Sequence, residues 1–282
     1  TILTIENTPI EAKFVKYHLT HIKLSKSGFF YGKNDYLCSL IYNKKFLQTM
    51  INRILIRIKV LQIVYSYYQN GNGDLKVAEN ELLFSLQKSY DLYYYFLLLI
   101  IEVTNLQRRI LDTRKCKYMP TDEELNPNTR FVDNRFVAQL AENDALKKYV
   151  DEQGLSWSND EEFVKNVLDT ILSSEIYAEY LKNEEDSYET DREFWRQIFK
   201  KVICGNEMIE EYLEDKSIYW NDDIEIVETF ALKTIKKFEE KKGSKQALLP
   251  MFKDLEDKAF AIKLFRQSLL KGKEYRERID KH

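Results

Sequence analysis

Glycine and proline are scarce, with 8 and 4 among 282 residues. An all-β chain needs frequent tight turns, so this scarcity argues against one. The cysteines are only Cys38, Cys116 and Cys204. They are odd in number and far apart, which disfavours a disulfide framework and a zinc site and fits a reducing, cytoplasmic compartment. The histidines are His18, His21 and His282, none of them in the well-patterned interior. His18 and His21 stand three residues apart but have no carboxylate or thiol near them at ligand spacing, so they read as incidental rather than as a metal pair. There is no Gly-rich phosphate loop, no Ser/His/Asp set and no Cys–His pair. The common acid–base and nucleophilic routes therefore lack their residues, and the chain is not expected to be an enzyme. The longest apolar run, Leu92–Ile101, is ten residues. A bilayer needs roughly 20, so the run reads as a buried helix centre and no membrane partner is expected.

Charged residues make up 32% and aromatics 13%, a globular and not a disordered composition. The net charge of −3 hides an asymmetry. Residues 1–49 hold seven Lys, no Arg and three acids, a net of +4, which leaves −7 for residues 50–282. Any nucleic-acid contact must then come from a local patch of an acidic body. The opening segment keeps neither a helical nor a strand period and carries no recognisable targeting signal. Residues 1–49 read as upstream sequence translated ahead of a start at Met50. A native extension is the alternative.

The rest of the chain is organised around Met50–Tyr68. From Met50 to Gly73 there is no acidic residue, and before the Gly71/Gly73 loop there is no Gly or Pro. At 100° per residue Arg53 and Arg57 lie one above the other near the helix start. Ile54, Ile58, Leu61, Tyr65 and Tyr68 share one face; Ile56, Val60, Ile63 and Tyr67 share another. Lys59, Gln62, Ser66 and Gln69 form a polar stripe. The pattern predicts a helix from about Asn52 to Gln69, mostly buried and held by tertiary packing rather than propensity. Arg53 and Arg57, four residues apart, suit successive phosphates through their planar forks. The opposite reading pairs them with acids of another helix, and the residues alone leave the two even. Tyr65 reads as core or as a partner contact.

Asp74 is a candidate N-cap for a second, long helix reaching about Arg114. The cations that follow, Arg108, Arg109, Arg114, Lys115 and Lys117, complement a helix C-terminus; an RNA contact is the alternative. Pro120, Pro127 and their neighbours make residues 116–135 a linker, with a possible capping box at Thr121–Glu124. Helices are expected at about 136–152, 159–183, 190–203, 206–216, 222–241 and 251–280, two of them opened by capping boxes at Ser158–Glu161 and Thr190–Glu193. Asp222, Asp223, Glu225 and Glu228 are a candidate Mg²⁺ set, but acids at a helix start also complement its dipole. The fold class is all-α.

The first helix resembles that of the transcription antitermination factor NusB. That family has an Arg-rich start, then Arg, apolar residues, Gln, two apolar residues, Tyr, a small residue and an aromatic. Here the string is Arg57, then Val60-Leu-Gln-Ile-Val-Tyr-Ser-Tyr67. The long form of the factor is similar to residues 50–282 almost throughout, including Tyr68-Gln-Asn-Gly-Asn72, Tyr219-Trp-Asn-Asp-Asp-Ile-Glu225 and Phe260-Ala-Ile-Lys-Leu-Phe-Arg-Gln-Ser-Leu-Leu-Lys-Gly272.

The resemblance implies an all-α protein of two small helical bundles, with extra helices inserted at about residues 116–250. It implies no cofactor. It implies boxA RNA as ligand, bound with NusE, a small-subunit ribosomal protein, so that RNA polymerase reads through terminators in ribosomal RNA operons. Arg53, Arg57 and Lys59 match the RNA-contacting start, and Tyr65 the family's helix-1 Tyr, here a partner-binding position. The helices that the family carries further on are not found before His282, so the chain reads as truncated. An RNA methyltransferase with a NusB-like domain and a helical interaction module without RNA binding are the alternatives.

Overall fold

A computed structural model describes residues 51–71, 73–252 and 255–272. The protein is all-α, and no strand occurs among the described residues. The order is α1 (Arg53–Gln69), α2 (Leu75–Lys115), α3 (Asp122–Leu125), α4 (Arg135–Ala141), α5 (Asp144–Gln153), α6 (Glu161–Leu172), α7 (Glu175–Lys182), α8 (Tyr188–Ile198), α9 (Glu207–Lys216), α10 (Ile224–Lys237) and α11 (Leu255–Leu270). A π-turn, Phe199–Ile203, extends α8, and a 3₁₀ segment, Glu240–Lys245, follows α10. The proposed extension 1–49, with His18 and His21, lies outside the described residues.

The chain divides into two compact units, one running to Gln87 and resuming at Pro250, the other comprising Lys88–Leu249. In the first unit α1 packs along α11. Leu55, Ile56, Val60, Ile63 and Val64 of α1 are buried, as are Ala261 and Phe265 of α11. Tyr67 meets Phe265 edge-on at 6.3 Å. Glu79, in the opening turns of α2, holds the Arg266 guanidinium through both carboxylate oxygens, and this pairing draws the Glu79 carboxyl below its usual range.

In the second unit the remainder of α2 is the axis. Its apolar run is buried from Leu92 to Ile101 except at Tyr95 and Leu98. No helix among the described residues is long and apolar enough to cross a membrane. Aromatic rings pack around this axis: Tyr94 stacks on Tyr149 at 3.9 Å, Tyr95 meets Trp157 and Trp220, and Phe96 meets Phe199. Their polar ends are satisfied, as buried groups must be. The Tyr149 hydroxyl donates to Asp91 (2.7 Å), and the indole N–H groups of Trp157 and Trp220 donate to the carbonyls of Tyr95 and Lys88. The unit begins at Lys88, inside α2. Residues 116–249 build their core on a helix they do not contain.

Local chemistry explains where long periodic stretches break. Asn143 splits the expected 136–152 helix because its side chain accepts the Leu146 N–H at 3.0 Å. Ser174 does the same for 159–183 by accepting the Tyr177 N–H. The capping box at Thr121–Glu124 is present with both of its bonds. The other two expected boxes are not. Asp160 stands at the N-cap of α6 without a side-chain cap bond, and Ser187, three residues ahead of Thr190, caps α8. Gly154 ends α5 in the left-handed region (φ +63°), a conformation that costs other residues steric strain.

Candidate nucleic-acid interface

The site begins with Asn52. Its extended backbone stops the helix, and its Oδ1 accepts the N–H groups of Ile54 and Leu55, both at 2.9 Å. One residue earlier, the Ile51 N–H donates to the Met251 carbonyl at 2.8 Å, which fixes the entry of the chain. The first turn of α1 contains no acid. The positive end of the helix dipole is thus not neutralised from within the helix.

Arg53 and Arg57 are exposed, one turn apart, at this end. The Arg53 guanidinium lies 5.3 Å from the centre of the Phe260 ring on α11. A cation over an aromatic face is held in orientation but keeps its hydrogen-bond donors. Among the described residues neither arginine is paired with a carboxylate. Of the two alternatives left by the sequence, phosphate contact and pairing with another helix, no pairing occurs among the described residues.

Lys59 does not join them. It lies on the buried face with Leu55, Ile56 and Ile63 and is 0% exposed. Two residues turn a helix by about 200°, which carries Lys59 away from Arg57. The polar stripe expected through Lys59 is replaced at that position by core. Tyr65 is half-buried. It shares this state with Ile54, Ile58, Leu61 and Tyr68, so the face they form is the flank of the core and not its centre.

The carboxylates near residue 225 do not gather as a metal site, and no group of three metal-ligating side chains occurs among the described residues. Asp223 is buried at the N-cap of α10 and accepts the Ser89 hydroxyl. Glu228 is 3% exposed, and its Oε1 has no hydrogen-bond partner. Burial first, then the carboxylates Glu210 and Glu225, push it up to about 8. The Cys204 thiol, just past the π-turn, faces the same carboxyl and is itself raised by burial. Sequence reasoning missed this pair because 24 residues separate its members and the π-turn has no composition signal.

At the end of α2 the basic cluster disperses. Arg108 donates to Asn105 and to the Val132 carbonyl, and Lys117 pairs with Glu124. Arg114 and Lys115 remain exposed. No family model, curated protein or solved structure matches this chain.

Proposed function

We propose that this chain is an RNA-binding transcription antitermination factor of the NusB type, acting with NusE on boxA RNA in ribosomal RNA operons, and that Arg53 and Arg57 are phosphate contacts. The observation that carries the reading is the pair of exposed arginines, one turn apart, at an acid-free helix start. In a body that is acidic overall, two cations without carboxylate partners among the described residues leave a local positive site. A single-stranded backbone offers phosphates to both, and the guanidinium fork bonds each through two donors. The role is one of binding, with no residue assigned to catalysis. Tyr65, on the half-buried flank of α1, is the proposed contact for the protein partner.

The test is affinity for boxA-containing single-stranded RNA with NusE present. Substituting Arg53→Ala and Arg57→Ala together is expected to weaken binding by a similar factor on boxA and on scrambled RNA, because phosphates carry no sequence. Unchanged affinity in the double variant would remove the arginines from the site. A wild-type chain that binds neither RNA would leave the helical interaction module as the better reading.

A further inference from the structure

The turn that ends α2 combines bare apolar groups with cations. Tyr118 is 99% exposed, Met119 80% and Leu125 47%. Three large apolar side chains thus stand in water within eight residues, whereas most others among the described residues are covered. Polar contacts order the turn that presents them. The Cys116 N–H bonds back to the carbonyls of Asp112 and Thr113, Thr121 and Glu124 form a reciprocal cap, and Lys117 pairs with Glu124. A braced turn with an uncovered ring is a surface feature awaiting a partner.

Charge indicates which partner. Arg114 and Lys115 are exposed on the α2 side of Tyr118, and Arg109, further back, lies only loosely against Glu161 at 4.0 Å. Asp122 and Glu123 occupy the first turn of α3, where they complement its own N-terminus, and Glu124 of the same turn is taken up by Lys117. Asp112 is the only acid among residues 108–118. An exposed ring with exposed cations three and four residues before it fits a base stacked on the ring and phosphates on the cations.

We propose that this tip is a second contact for single-stranded RNA, with Tyr118 stacking on a base and Arg114 and Lys115 holding the adjacent phosphates. The inference rests on the RNA reading above and adds a contact to it.

The native tryptophans give the test a clean background, because Trp157, Trp195 and Trp220 are 2%, 0% and 3% exposed. A Tyr118→Trp variant of the full chain places one water-exposed indole at the tip. Acrylamide should quench it selectively, and boxA-containing RNA with NusE should shield it. Tyr118→Ala should weaken RNA affinity about tenfold, and Tyr118→Phe should leave it nearly unchanged, since stacking needs the ring alone. Substituting Arg114 and Lys115 by Ala should flatten the slope of log affinity against log salt by about 1.4. If Tyr118→Ala binds RNA like wild type while the Arg53/Arg57 double variant is weakened, this inference falls and the α1 site stands. If the wild type binds no RNA, both fall. If Tyr118→Ala keeps its RNA affinity and instead loses affinity for NusE, the tip is a protein-docking surface and the inference is overturned.

Discussion

A carboxyl sealed into protein without a cation beside it stays neutral at pH values where water would ionise it. Glu228 is in that position, raised by burial to about 8 from an ordinary 4.5. Between those two values the folded protein holds a proton that the unfolded chain has released. Stability contributed by this group is therefore full below about 4.5, falls as pH rises toward 8, and levels off above. Glu228→Gln keeps the shape and removes the titration. Urea melts at pH 5, 6.5 and 8 should show the wild type losing stability relative to Glu228→Gln as pH rises. Parallel curves for the two proteins would mean that Glu228 is solvated or paired.

On a helix, position around the axis decides what a substitution costs. The buried arc of α1 runs through Leu55, Ile56, Val60, Ile63 and Val64, while Ile58 lies on the half-buried flank. Ile56→Asp places an unpaired charge where exposure is 0% and should cost about 3 kcal/mol or more. Ile58→Asp should cost less than half as much, because its carboxylate can reach water. Equal losses in denaturant midpoint would show that the flank is core. Caps obey the same rule. Asn143 is fully buried, and besides capping α5 it donates to the Gln246 carbonyl at 2.7 Å. Asn143→Ala loses the cap and orphans that carbonyl, for about 2–3 kcal/mol. Thr121→Ala removes an exposed cap, worth about 1 kcal/mol or less. A Thr121→Ala variant as destabilised as Asn143→Ala would contradict the assignment.

For the whole molecule, the sequence was most legible where one physical signal dominates. The acid-free, apolar stretch after Met50 gave α1 its limits, and the ten-residue apolar run gave α2 its buried centre. The all-α class followed from the scarcity of Gly and Pro and from helical periodicity. Helix breaks at Asn143 and Ser174 were not legible, because polar residues inside a periodic stretch cap a helix only where the tertiary path turns. Lys59 was misplaced for a related reason. The stretch is apolar on two faces, and only packing against α11 decides which face becomes the core. The start of the second unit lies inside a continuous helix and leaves no mark in composition. Of the candidate site, the two arginines were visible as residue types, but their freedom from carboxylates among the described residues was not.

That freedom is the physical basis of the functional reading, and salt dependence measures it directly. Each phosphate neutralised by a cation releases counterions, so log affinity falls linearly with log salt, by about 0.7 per contact on a single strand. The decisive measurement is a salt titration of boxA RNA affinity, with NusE present, for the wild type and the Arg53→Ala/Arg57→Ala variant. The slope is expected to be shallower by about 1.4 in the variant. An identical slope in the two proteins would contradict this expectation.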